Sequence, residues 1–152
     1  MTVLVGVRCA DGVVVGADSM ATSGIPGSVG LMRMASEKIS VIGERVIVAG
    51  TGAVGLGQRF RDTVQSAWNK KLFQKSCVDC CRELTHAAVN DFRNTGVPYN
   101  SQFGYNFGAL VAAPLDDHPN LIEFGLADFQ PEIKTDKLHF VSMGSGQMLY
   151  PN

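Results

Sequence analysis

Residues 2–17 constrain the fold of this chain more than any other stretch. Val3, Val5, Val7 and Cys9 alternate with Thr2, Leu4, Gly6 and Arg8, the period-2 pattern of a strand. Asp11-Gly12 is a tight-hairpin dipeptide, and Val13-Val14-Val15-Gly16-Ala17 leads away from it. This second run is apolar at consecutive positions, so both of its faces are expected to be covered. The chain therefore opens on a hairpin that needs further layers around it.

The rest of the chain supplies those layers. A Gly- and Ser-rich loop is expected from Thr22 to about Gly30, then a second hairpin from Ile39–Ile42 and Arg45–Ala49 around Gly43-Glu44. Leu56, Phe60, Val64, Ala67 or Trp68, and Leu72 mark the apolar face of one helix, and Cys77, Cys81, Leu84, Ala88 and Phe92 that of another. Ser76 with Asp79 resembles a cap, and Gly96 with Pro98 marks the stop. Strand runs return at Phe107–Ala113, at Leu121–Leu126 after a polar turn over Asp116–Asn120, at Phe129–Ile133 and at Leu138–Ser142. Hairpins with grouped helices favour an α+β layered architecture over a doubly wound sheet.

At 152 residues the chain fits one domain, 1–152. Thirteen basic and 14 acidic residues give no basic excess for binding nucleic acid. No apolar stretch approaches the length that spans a membrane, and no basic region precedes the apolar residues of Met1–Arg8 as in a signal peptide. The four cysteines, at 9, 77, 80 and 81, do not form the framework of a small secreted protein, and reduced thiols in the cytoplasm fit them better.

Several motifs allow a chemical and a packing reading. Gly50-Thr51-Gly52-Ala53-Val54-Gly55 has the G-x-G-x-x-G form of a dinucleotide loop. No second strand ending in an acidic residue follows it about 20 residues on, where Lys70-Lys71-Leu72-Phe73-Gln74 stands. Exposed amides at such a turn also stabilise a transient oxyanion. Cys77, Cys80, Cys81 and His86 invite a zinc reading, but Cys77 and Cys81 fall on the apolar stripe, so core packing is expected. Asp116, Asp117 and His118 read as a solvated hairpin tip, and His86 and His139 have no nucleophile beside them in sequence. No metal or organic cofactor is called for.

The N-terminus is more specific. Removal of Met1, which the small Thr2 permits, would leave a threonine whose own α-amine can act as base for its hydroxyl. Such a nucleophile needs a nearby cation, a carboxylate to hold that cation, and backbone donors for the oxyanion. Lys38, Asp18 and the turn at Gly50 stand in order to supply them.

Thr2-Val3-Leu4-Val5-Gly6-Val7 and Asp11-Gly12-Val13-Val14-Val15-Gly16-Ala17-Asp18-Ser19-Met20-Ala21-Thr22-Ser23-Gly24 closely resemble the opening of proteasome β-type subunits. Glu37-Lys38-Ile39, Ala49-Gly50 leading into a helix, and Met143-Gly144-Ser145-Gly146 continue the resemblance. It implies an N-terminal-nucleophile hydrolase with a four-layer αββα sandwich, a threonine endopeptidase acting on unfolded polypeptides. It also implies homo-oligomeric stacked rings and an ATP-driven unfoldase ring as partner. Thr2 would be nucleophile and base, Lys38 would lower the proton affinity of its hydroxyl, and Asp18 would orient Lys38. The Gly50 amide would form the oxyanion hole, and Ser145 would hydrogen-bond near the threonine amine. Backbone groups of Thr22 and Gly52 would pair with an extended peptide. Ala21, Val48 and Gly52 would line the first specificity pocket, whose small walls imply apolar side chains before the cut.

Met20 stands where the family usually has arginine. The family also continues with further helices and strands and with an aspartate and a serine that complete the site, so these 152 residues are expected to lack the C-terminal part of the fold. Two other readings stay open: a catalytically inactive structural subunit of such a ring, and a nucleotide-binding domain built on Gly50–Gly55.

Overall fold

The computed structural model describes residues 2–23, 32–100 and 104–144, with backbone alone at 21–23 and 32–34. Strands β1 (Leu4–Arg8) and β2 (Val13–Ala17) form the expected hairpin, in which Leu4 lies opposite Ala17 and Arg8 opposite Val13. The last strand, β10 (Phe140–Met143), pairs with the other edge of β1 and places Met143 opposite Leu4. Thus β1 is the central strand of an antiparallel sheet ordered β10-β1-β2.

A larger antiparallel sheet is ordered β5-β6-β7-β8-β9, from β5 (Ile39–Ile42), β6 (Val46–Gly52), β7 (Phe107–Leu115), β8 (His118–Phe124) and β9 (Pro131–Ile133). Its β5–β6 turn is Gly43-Glu44, both residues at positive φ, the mirror-type hairpin geometry that matches strand twist. The sequence reading missed one ribbon. Residues Thr22 and Ser23, expected in a loop, end β3 (Met20–Ser23), which pairs antiparallel with β4 (Met32–Ala35).

One face of the large sheet packs on the small one through Leu4, Ala49, Leu110, Leu121, Val141 and Met143. The other face carries the helices α1 (Val54–Asn69) and α2 (Cys77–Asn94). Leu56, Phe60, Val64 and Ala67 are the buried stripe of α1, as their spacing predicts, while Leu72 lies beyond it in a short 3-10 turn. In α2 the expected cap is present, with the Ser76 hydroxyl accepting from the Asp79 amide at 3.2 Å. Its chain end is the expected one too, since Gly96 takes positive φ just past Asn94. The centre of the helical layer is aromatic. Phe60 meets Phe124 and Phe129 edge-on at centroid separations of 5.2 and 5.1 Å, and Phe92 meets Phe107 at 6.2 Å.

The layers among the described residues are therefore sheet, sheet and helices, three successive layers of the αββα sandwich. The outer face of the small sheet presents Val5, Val7, Val14 and Phe140, all exposed. Because β6 runs antiparallel to both β5 and β7, the glycines from its end into α1 do not belong to a parallel strand–helix–strand unit.

The polar turn differs from its expected form, while the cysteines pack as expected. The turn after β7 is only Asp116-Asp117, both at positive φ, and His118–Asn120 already pair with Leu115–Ala113. Asp116 is more than a solvated tip, because its Oδ2 accepts the Cys77 amide at 2.9 Å and so caps α2. Cys77, Cys80 and Cys81 are buried in the helix–sheet core, whereas His86 is on the exposed face of α2.

Candidate active site

Thr2 lies two residues before β1, so the central strand of the small sheet fixes where it starts. The register of Leu4 with Ala17 brings Asp18 beside Val3. There the Asp18 amide donates to the Val3 carbonyl at 3.1 Å, and the Val3 amide donates to Asp18 Oδ1 at 2.7 Å. The Met20 amide donates to Asp18 Oδ2 at 3.1 Å, closing a turn around the carboxylate. Asp18 thus ties the start of β1 to the end of β2.

Lys38 comes from the other sheet, one residue before β5. Its Nζ donates to Asp18 Oδ1 at 2.7 Å, to the Met20 carbonyl at 2.5 Å and to Thr2 Oγ1 at 3.3 Å. The Lys38 side chain is only 8% exposed and that of Asp18 30%. Burial by itself would push the Asp18 carboxyl up. The hydrogen bond from Lys38, the amides of Val3 and Met20 and the lysine charge outweigh it and bring the carboxyl down to about 2. The site thus sets a carboxylate, the sheltered Lys38 Nζ and, against that nitrogen, a threonine hydroxyl side by side.

Gly50 lies on β6 beside this group, but its amide is engaged. It donates to the Lys38 carbonyl at 3.3 Å, at the long end for such a bond. Amides alternate along a strand, so Gly52 presents its N–H on the same edge of β6 as Gly50, away from β7. Gly52 has φ +101, and a β-carbon there would stand 2.2 Å from the Asn106 carbonyl oxygen, so only glycine fits.

These residues open on one cleft of about 750 Å³. Thr2, Lys38, Val48, Gly50 and Gly52 all line it, together with Ser36 from the segment after β4, Ser40 opposite Val48 on β5, and Gly57 and Arg61 from α1. Of the residues expected at the site from sequence, Thr2, Asp18, Lys38, Gly50, Val48 and Gly52 are brought together. Ala21 and Thr22 lie on β3 directly after Met20, whose carbonyl holds Lys38. Ser145 lies outside the described residues. Its neighbour Gly144 packs against the Thr2 carbonyl.

Sequence reasoning missed Thr51, Asn106 and Arg61. Thr51 is buried and borders both the cleft and Gly144. Alternation along β6 could have placed it opposite the small sheet. Arg61 shows only as one more charged residue on α1.

Strand order, the threonine–lysine–aspartate contact and the glycine turn can now be set beside known proteins. The sequence profile of the proteasome subunit family matches residues 2–151. The chain belongs to the proteasome subunit family. Among solved structures it is similar to Anbu from Hyphomicrobium sp. strain MC1, with TM-score 0.69 and 16% identity. It is also similar to Anbu, the ancestral beta-subunit, from Yersinia bercovieri (0.74, 13%) and to the Anbu complex of Pseudomonas aeruginosa, a helical assembly (0.71, 16%). In each case the alignment covers 95% of this chain and 61% of the other, so this proteasome-family chain spans about three-fifths of the length of these relatives. No curated protein matches the sequence. No helix among the described residues is long and apolar enough to cross a membrane.

Proposed function

We propose that this proteasome-family chain is a threonine-type endopeptidase subunit whose nucleophile is Thr2, exposed by removal of Met1. The observation that carries the reading is the position of Lys38 Nζ, 2.7 Å from Asp18 Oδ1 and 3.3 Å from Thr2 Oγ1. A threonine hydroxyl near neutral pH is a weak nucleophile, and an ammonium donating to its oxygen stabilises the negative charge that grows there. The free α-amine of Thr2 takes the hydroxyl proton as Oγ1 attacks the carbonyl carbon of a substrate peptide bond. The carbonyl oxygen becomes an oxyanion beside β6, where the Gly50 amide can exchange its long bond to the Lys38 carbonyl for this charged acceptor. Collapse breaks the C–N bond, and the amine-held proton goes to the leaving nitrogen. Water, deprotonated by the same α-amine, then attacks the acyl carbon, the ester C–O bond breaks, and the amine returns the proton to Oγ1.

Substrate binding follows from the edge of β6. The Gly52 amide faces the cleft, and the β3 backbone from Ala21 and Thr22 begins at Met20, so an extended polypeptide fits between them by strand addition. Such a mode reads backbone rather than fold and suits unfolded chains. The helical assembly of the related Pseudomonas aeruginosa complex supports a homo-oligomer here, and a cytoplasmic location and a separate ATP-driven unfolding ring belong to the same reading.

Intact mass before and after incubation with a threonine-reactive peptide electrophile tests the proposal. Loss of Met1 and one stoichiometric adduct, abolished in Thr2→Ala, is the expected result. Retention of Met1 with no adduct, or undiminished peptide hydrolysis by Thr2→Ala, overturns it.

A further inference from the structure

The wall of the cleft opposite β6 carries a charge that the small residues of β6 do not suggest. Helix α1 leaves β6 through Ala53 and folds back along it. A β-carbon on Gly50 would stand 3.7 Å from Gly57 Cα, so Gly57 lies over Gly50. One helical turn further, about 6 Å on, comes Arg61, and two residues back along β6, about 6.6 Å, comes Val48. Arg61 therefore lines the cleft at the Val48 level, at its solvent-open margin, one step along β6 from the amide proposed for the oxyanion. Ser40, opposite Val48 in the β5–β6 register, and Ser36 add hydroxyls to the lining of the cleft.

The guanidinium is not consumed by the fold. Its ion pair is with Asp62, its neighbour in sequence, at 3.5 Å. That contact is long, and both side chains are open to solvent, Arg61 49% and Asp62 73% exposed, so the pair neutralises little. The other charges lining the cleft are Lys38, already held by Asp18, and Glu37, which is exposed.

We infer that Arg61 is a specificity-determining residue that selects an acidic side chain immediately before the scissile bond, an inference that rests on the peptidase reading. A side chain entering from above Gly50 runs between Val48 and Gly57 toward the guanidinium. A glutamate is long enough to reach a fork of N–H donors made for a carboxylate. On this inference the side chain before the cut is acidic, in contrast to the apolar one that the family resemblance implies at Ala21, Val48 and Gly52.

Two measurements on the full chain test it, one without catalysis. In the Thr2→Ala protein, anisotropy of fluorescein-labelled peptides ending in Glu, Gln or Leu should show the Glu peptide binding at least fivefold more tightly than the Gln peptide. In the unsubstituted protein, fluorogenic peptides should show at least a tenfold higher kcat/KM for Glu than for Gln before the cut. Arg61→Gln should bring both ratios close to one, and Arg61→Lys should keep part of them. Equal binding of the Glu and Gln peptides, or ratios untouched by Arg61→Gln, overturns the role of Arg61 whether or not hydrolysis is seen. Selective binding of the Glu peptide without Thr2-dependent hydrolysis keeps it and overturns the peptidase reading alone.

Discussion

The Thr2 carbonyl and Gly144 meet so closely that a β-carbon on residue 144 would stand 2.2 Å from the Thr2 oxygen and 2.8 Å from its carbon. Gly144 also has φ +106, a conformation open to glycine and costly to other residues. The end of β10 is thus shaped to let Thr2, two residues before β1, sit flush against it. Alanine at 144 must move Thr2 by more than 1 Å to regain ordinary contact, and a misplacement of that size costs about 100-fold in reactivity. Gly144→Ala is expected to slow adduct formation on Thr2 by about that factor, followed by intact mass against time. An unchanged rate would show that Thr2 is positioned by β1 and β2 alone.

Lys38 touches Asp18, the Met20 carbonyl and Thr2 at once, so its removal should act on reactivity more than on fold. Loss of a preorganised donor to developing negative charge costs about 10²–10³ in rate. Lys38→Ala is expected to lose that much in peptide hydrolysis while keeping its far-UV circular dichroism. Lys38→Arg is expected to be nearly as impaired, because a planar guanidinium cannot aim one point charge at three oxygens in so sheltered a space. Recovery of most activity in the arginine variant would assign Lys38 a general electrostatic role only.

Asp18 sets the acid limit of the site. Its carboxyl is held down at about 2, below its ordinary 3.8, so the folded state binds its proton less readily than the unfolded chain. The stability it supplies is present above pH 3.8 and drains away as pH falls toward 2, by about 1–2 kcal/mol after solvent screening. Urea midpoints between pH 5 and pH 2 should fall more steeply for the natural chain than for Asp18→Asn, which starts lower and is flatter. Parallel curves would mean that Asp18 is not held by Lys38 in solution.

Much of this arrangement was legible in the sequence where local chemistry and tertiary structure agree. The Asp11-Gly12 hairpin, the Leu56–Phe60–Val64 stripe and the Ser76–Asp79 cap are local signals, and each formed as read. The β3–β4 ribbon was not legible, because Met20–Ser23 has no apolar alternation and pairs only through contacts made at a distance in sequence. His118–Asn120 looked like turn because they are polar with a proline, yet pairing to Leu115–Ala113 carries them into β8. At the site, the order Thr2, Asp18, Lys38 was readable from family resemblance. The engagement of the Gly50 amide with the Lys38 carbonyl was not, because it depends on the register of β5 with β6. Nor was the place of Arg61, which depends on α1 folding back over β6.

Glu123 and Lys134 offer a test of the fold away from the cleft. Lys134 Nζ lies 2.6 Å from Glu123 Oε2 and 2.8 Å from Glu132 Oε1, with the lysine side chain 4% exposed and Glu132 more than half exposed. Burial alone would lower the lysine pKa, but the hydrogen bonds and charges of the two glutamates raise it above its ordinary value. The sheltered partner is Glu123, at 20% exposure, so removing its charge leaves the ammonium with only the outer carboxylate. Breaking a buried pair from one side costs about 3–5 kcal/mol, and the remaining Glu132 should reduce this to about 2–3 kcal/mol for Glu123→Gln. Replacing both members, as in Glu123→Leu with Lys134→Met, should cost less than the single change, because no buried charge is left behind. Chemical denaturation of the three proteins at pH 7 decides between them. A double variant less stable than Glu123→Gln would mean that the ion pair itself, rather than satisfaction of the lysine, holds β8 to the segment after β9.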